Sequence, residues 1–141
     1  LREPEAAPLS PLARDTTAET VASARAAGFD TRLVVSGDPG DLDSRTQLAV
    51  SRIVQEGVTN VLRHATAATH IDVAIRHAPD GVSVSVTDDG LPTTVGTDAG
   101  GFGLRGLRER VGLAGGTVTA GPRQPHGWSV TAHIPRQETT A

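Results

Sequence analysis

The chain of 141 residues contains no cysteine, which excludes disulfides, thiolate metal sites and cysteine nucleophiles. Methionine is also absent, so the sequence reads as a fragment of a longer translation product. Lysine is missing too: all thirteen basic residues are arginine, scattered along a chain of net charge -3. Without a basic cluster, a nucleic-acid partner is not expected. No apolar run approaches the roughly 20 residues that a bilayer-crossing helix needs, and the first residues lack the basic-then-apolar pattern of a signal peptide. The expectation is a cytoplasmic fragment with no direct membrane contact, from a parent that is free to be membrane-anchored. At this length, with 37% hydrophobic residues, one domain with a real core is expected.

What is present divides into a short entry segment and a domain. Pro4, Pro8 and Pro11, set among alanines and alternating charges, make residues 1–14 read as a linker and 15–141 as the domain. A helix is expected over Asp15–Ala27, stopped by Gly28, and a strand over Thr31–Ser36. Asp43 or Ser44 can cap a long helix to about Thr66, with Leu48, Val50, Ile53, Val54, Val58, Val61, Leu62 and Ala65 as its apolar stripe. Alternation around Ile71–Ile75 and Val82–Val86, joined through Ala78-Pro79-Asp80-Gly81, predicts a hairpin. Residues 90–101 read as a long functional loop, Gly103–Leu113 as a helix, and Thr117–Ala120 with Trp128–Ile134 as a second hairpin. The predicted class is α/β: a two-layer sandwich in which a mixed, mostly antiparallel sheet is covered by helices on one face.

Three stretches carry chemistry. Glu56 and Asn60 lie four residues apart, so a helix projects both from one face. Magnesium prefers hard oxygen ligands and keeps several waters, so the Asn60 carboxamide oxygen plus phosphate oxygens would suffice. Glu56 could then orient a metal-bound water or accept a proton; alternatively the pair is a solvated polar face. Asp88-Asp89-Gly90 ends a strand. It reads either as the start of a turn or as a carboxylate that accepts from an exocyclic amino group, selecting adenine over guanine, with Gly90 letting the backbone approach the ring. Gly101-Phe102-Gly103-Leu104-Arg105-Gly106 satisfies G-x-G-x-x-G, but a dinucleotide fold requires a strand directly before it and an acid some twenty residues later. Neither is found. The remaining physics is a helix N-terminus facing an anion, with glycines on which a lid can hinge.

In this order the three stretches resemble the GHKL ATPases, whose members include histidine kinases, type II topoisomerases and chaperones. Glu56 and Asn60 resemble the N box, Asp88-Asp89-Gly90 the first glycine box and Gly101-Phe102-Gly103-Leu104 the second. Asn60–Ala65, Gly106–Val111 and the ending Gly115-Gly116-Thr117 to Ile134-Pro135 are most similar to NarL/DesK-type sensor kinases. The resemblance spans roughly residues 30–135 and implies a Bergerat-type sandwich that holds ATP with Mg2+. It implies Asn60 as Mg2+ ligand, Glu56 as general base or water positioner, and Asp88 as the adenine residue. Gly90, Gly101, Gly103 and Leu104 would shape pocket and lid. Pro92 replaces a family glycine, the phosphate contact of an absent lysine falls to Arg63, Arg105 or His64, and Ser129 stands where relatives carry a threonine near adenine.

The resemblance further implies transfer of the γ-phosphate to a histidine on a helical dimerisation domain, then to a response regulator, within a homodimeric parent. None of the five histidines fits the acceptor. His70, His77, His126 and His133 are expected to be exposed or half-buried, while His64 is near enough to Asn60 to touch phosphate. The expectation is therefore a catalytic domain that binds ATP but does not phosphorylate itself, its acceptor lying before Leu1. Two other readings remain open: an anti-sigma-factor serine kinase of the same fold, and a non-catalytic interaction domain.

Overall fold

Valine and isoleucine alternate with polar residues and Ala74 over 71–76 and 82–87, and the chain forms a hairpin there whose inward face is aliphatic between His77 at one end and Asp88 at the other. The computed structural model describes residues 11–40, 42–64, 67–91 and 101–136. The elements are α1 (Pro11–Ala26), β1 (Asp30–Ser36), α2 (Ser44–His64), β2 (His70–Ala78), β3 (Gly81–Asp88), α3 (Gly101–Leu113), β4 (Thr117–Pro122) and β5 (Trp128–Pro135). The five strands lie in the order β1-β2-β3-β5-β4; β1 and β2 are parallel and every other neighbouring pair is antiparallel. This is the expected mixed, mostly antiparallel sheet. β5 sits between β3 and β4, so α3 must cross over it to connect them.

The parallel β1–β2 pair requires a crossover, and α2 supplies it. Asp43 caps α2, its Oδ1 accepting the Thr46 N–H at 2.7 Å, so of the two expected candidates Asp43 serves. Ile53, Val50, Val54 and Val58 of α2 are fully buried against Ile71, Val73, Ile75, Val82, Val84 and Val86 of the sheet. α1 and α3 flank α2 on the same side, burying Val21 and Ala24 from one and Leu107 and Val111 from the other. Burial on three sides is why Thr46, Gln47, Ala49 and Ser51 of α2 are also inside.

Several boundaries differ from the sequence reading. α1 begins at Pro11, four residues before Asp15, because proline's fixed φ suits the first helical position. The last four residues of the expected linker are thus helical, and the first ten lie outside the described residues. Leu48 and Leu62, assigned to the apolar stripe, are 44% and 38% exposed; Ala65 lies outside the described residues. β1 starts one residue early, at Asp30, and β4 runs two residues further, to Pro122. His77, expected at or near the surface, is 5% exposed because it lies on the helix-facing side of β2, opposite Val82.

Candidate functional site

β2 begins, β3 ends and α2 finishes at one end of the sheet, so the carboxyl end of α2 and Asp88 are brought to the same side. Contact between α2 and β3 is set by Gly57. A Cβ there would stand 2.8 Å from Val86 Cβ, so the absence of a side chain lets the helix backbone lie on the strand. Glu56 precedes that contact by one residue and Asn60 follows by three, both half-buried. Asp88 lies two residues beyond Val86 on the same, helix-facing side.

Asp88 is 3% exposed, and its Oδ1 accepts the Gly90 N–H at 2.7 Å. Burial pushes its carboxyl above the usual range; the Gly90 N–H opposes this, Asp89 adds to it, and Arg123 and His126 work against it. A buried carboxylate without an ion-pair partner is costly to keep ionised, and such perturbed groups mark functional sites.

The backbone that carries Asp88 is fastened from both sides. On one, the β4–β5 turn brings Arg123 Nη1 to the Asp88 carbonyl at 2.9 Å and His126 Nδ1 to the Gly90 carbonyl at 3.2 Å. Gly127 has φ +103, and a Cβ there would strike the Asp88 carbonyl. On the other, the Asp89 carboxylate accepts the N–H groups of Thr69 at 2.8 Å and His70 at 2.9 Å, and the Thr69 hydroxyl at 2.8 Å. The His70 ring spans two acids, with Nδ1 3.1 Å from Asp89 and Nε2 3.2 Å from Asp30. Partial burial opposes ionisation of Asp89, but the His70 and Thr69 donors outweigh it and hold the carboxyl well below the usual range.

The remaining candidates distribute unevenly. Gly90 is buried beside Asp88, and Leu104 is 6% exposed, packed inward from α3. Gly101 and Gly103 belong to the first turn of α3, which starts two residues before the expected Gly103. The glycine-rich stretch is therefore the helix start itself. Arg63 and Arg105 are exposed. His64 is the last residue of α2; its side chain, like Pro92 and most of the expected loop, lies outside the described residues.

Ser129 is not on the Asp88 side. It pairs with Thr87, which faces away from the helices, and its hydroxyl lies 3.3 Å from that of Thr131. The cross-strand partner of Asp88 is Trp128. Counting back by twos from buried Ile134, Ala132 and Val130 reaches Trp128, so alternation alone was a sufficient signal. Arg123, His126 and the Thr69–His70 donors had no such signal, since they meet their partners across 19 to 36 residues of sequence.

Residues 45–138 match the family described as histidine kinase-, DNA gyrase B-, and HSP90-like ATPase. The chain belongs to this family. The ATPase domain is 39% identical over 90 residues to the sensor histidine kinase YxjM of Bacillus subtilis, covering 64% of this chain and 21% of YxjM. Its fold is that of the histidine kinase domain from the Erythrobacter litoralis EL346 blue-light activated histidine kinase: TM-score 0.72, 18% identity, covering 96% of this chain and 66% of that one. It also superimposes on full-length ShkA in complex with AMPPNP, with TM-score 0.71, 21% identity and coverage of 99% and 33%. The chain thus spans about a fifth of the length of YxjM. Among the described residues, no helix is long and apolar enough to cross a membrane.

Proposed function

We propose that this ATPase domain binds Mg-ATP and donates its γ-phosphate to a histidine on a separate helical dimerisation domain of a homodimeric, cytoplasmic-facing sensor kinase, for relay to a response regulator. One observation carries the reading. The buried Asp88 carboxylate and the Glu56/Asn60 pair are directed to one end of the sandwich by the Gly57–Val86 contact. Support also comes from relatives that are sensor kinases and from a similarly folded kinase that holds AMPPNP.

In this reading Asp88 accepts a hydrogen bond from the adenine amino group, and buried Gly90 leaves room for the ring. Among the described residues no group of three or more acids or histidines can hold a metal. Asn60 would offer magnesium one hard oxygen ligand, which suits an ion that keeps waters and phosphate oxygens. Bound there, it would neutralise phosphate charge during transfer. Glu56, one turn earlier, is placed to take up a proton from the attacking group or to position a water. The phosphate contact that lysine provides elsewhere would fall to Arg63, Arg105 or His64, and the α3 N-terminus at Gly101–Leu104 would receive phosphate oxygens.

Calorimetry with Mg-ATP tests the reading. Wild-type chain should bind, and Asn60→Ala should lose the magnesium-dependent part while melting normally. Acid-labile, base-stable phosphate should appear only when a helical acceptor domain is added. Equal Mg-ATP affinity in Asn60→Ala, or labelling of the chain alone, would reject the assignment.

A further inference from the structure

We propose that Trp128 is the stacking wall for the purine ring, a specificity residue distinct from Asp88; this rests on the Mg-ATP reading above. The outermost row on the helix-facing side of the sheet is Ile71 of β2, Asp88 of β3 and Trp128 of β5, joined in direct register. Directly opposed residues on antiparallel strands project to one face with Cβ atoms about 4.5–5.5 Å apart. The Trp128 side chain therefore starts beside the one carboxylate that is buried among the described residues.

The rows further in are aliphatic apart from His77 at the far end. They read Val73–Val86–Val130, Ile75–Val84–Ala132 and His77–Val82–Ile134. Small aliphatic side chains fill most of this core, yet the chain's single tryptophan stands at the row that holds Asp88, half-buried and packed against the core's edge. A residue needed only for packing would follow its neighbours in size. A half-buried indole beside a carboxylate instead offers what a purine requires: a hydrogen-bond acceptor at the ring's edge and a π surface along its plane.

The backbone at this point is also fixed. Gly127 lies directly against the Asp88 carbonyl, which sets the approach of Trp128 to Asp88. The Arg123–Asp88 and His126–Gly90 hydrogen bonds tie the same turn to the same strand end. Preorganisation of this kind lowers the ordering cost of stacking.

Stacking reads the ring whether or not it carries an amino group, whereas Asp88 reads the amino group, so the two contributions separate. Magnesium complexes of ATP, purine riboside triphosphate and tripolyphosphate are titrated calorimetrically into wild type, Trp128→Leu, Trp128→Phe and Asp88→Asn. Trp128→Leu should weaken both nucleosides by about ten-fold and leave tripolyphosphate unchanged, with Trp128→Phe close to wild type. Asp88→Asn should weaken ATP far more than purine riboside triphosphate. If folded Trp128→Leu binds both nucleosides as wild type does, the inference is overturned.

Should Trp128→Leu not fold, the wild-type emission decides, because tryptophan is single and tyrosine absent. Both nucleosides should alter the indole emission and tripolyphosphate should not; emission unchanged at calorimetric saturation with ATP overturns the inference. A wild type that does not bind Mg-ATP removes the Mg-ATP reading itself, whereas one that binds Mg-ATP but shows unchanged emission, or unchanged affinity in folded Trp128→Leu, removes Trp128's role alone.

Discussion

Gly57 of α2 and Val86 of β3 touch without an intervening side chain, and a Cβ on Gly57 would come within 2.8 Å of both Val86 Cβ and Cγ2. Neither branch of valine can rotate out of the way while Cβ itself is in contact. Gly57→Ala therefore pushes the helix off the strand, at a cost of about 1–3 kcal/mol as for other overpacked cores. Because Asn60 follows Gly57 by less than one turn, ATP affinity should fall as well. Urea denaturation and calorimetry check the two effects; a variant as stable and as tightly binding as wild type contradicts the close-approach argument.

Asp88 carries a burial penalty at neutral pH. Burial raises its folded pKa, so its ionised form is disfavoured at neutral pH. The penalty is present above the folded pKa and fades as pH falls through it, since the folded state then binds the proton more readily than the unfolded chain. Asp88→Asn should melt higher than wild type at neutral pH, keep the Gly90 hydrogen bond through its amide oxygen, and bind ATP poorly. The melting advantage should shrink toward acid. A lower melting temperature for Asp88→Asn at pH 7 would show that the charge is stabilised rather than tolerated.

Asp89 has the opposite sign. Its donors depress its pKa, so its stabilisation is present above the ordinary carboxylate range and is lost as pH falls through the folded value. Asp89→Ala leaves the N–H groups of Thr69 and His70 without their acceptor and should cost roughly 1–3 kcal/mol. Asp89→Asn keeps one acceptor oxygen and should lose less. Chemical denaturation of both variants at pH 7 gives the order, and equal losses would assign the effect to charge alone.

Much of this was legible in the chain because the signals were local. Period-two alternation located β2, β3 and β5, and the spacing of Glu56, Asn60, Asp88 and Gly101 gave the site its order. What escaped depended on distance in space. Leu48 and Leu62 are as apolar as Ile53, and only the placement of α1 and α3 decides that they are left exposed. Ser129 was expected near the site from the position of a threonine in relatives, although the inward phase set by Val130 and Ala132 turns it to the opposite face. The Asp89 and Arg123 fastenings join residues whose proximity exists only after the sheet has formed.

His77 provides the remaining pH signature. It is 5% exposed, its Nδ1 has no hydrogen-bond partner among the described residues, and its pKa is lowered, chiefly by burial and then by Arg136, with Asp38 opposing. The unfolded chain takes up a proton near pH 6.5 while the folded one resists, so stability should fall as pH drops below about 6.5 and level off only beneath the folded value. His77→Leu removes both the titration and the unpartnered nitrogen from a site walled by Val82 and the core. The variant should be at least as stable as wild type at pH 7.5 and should lose its excess acid sensitivity between pH 7 and 5. Since His77 sits at the end of β2 remote from Asp88, ATP affinity should be unchanged. Thermal melts across that pH range decide: parallel curves for variant and wild type would place the acid sensitivity elsewhere in the chain.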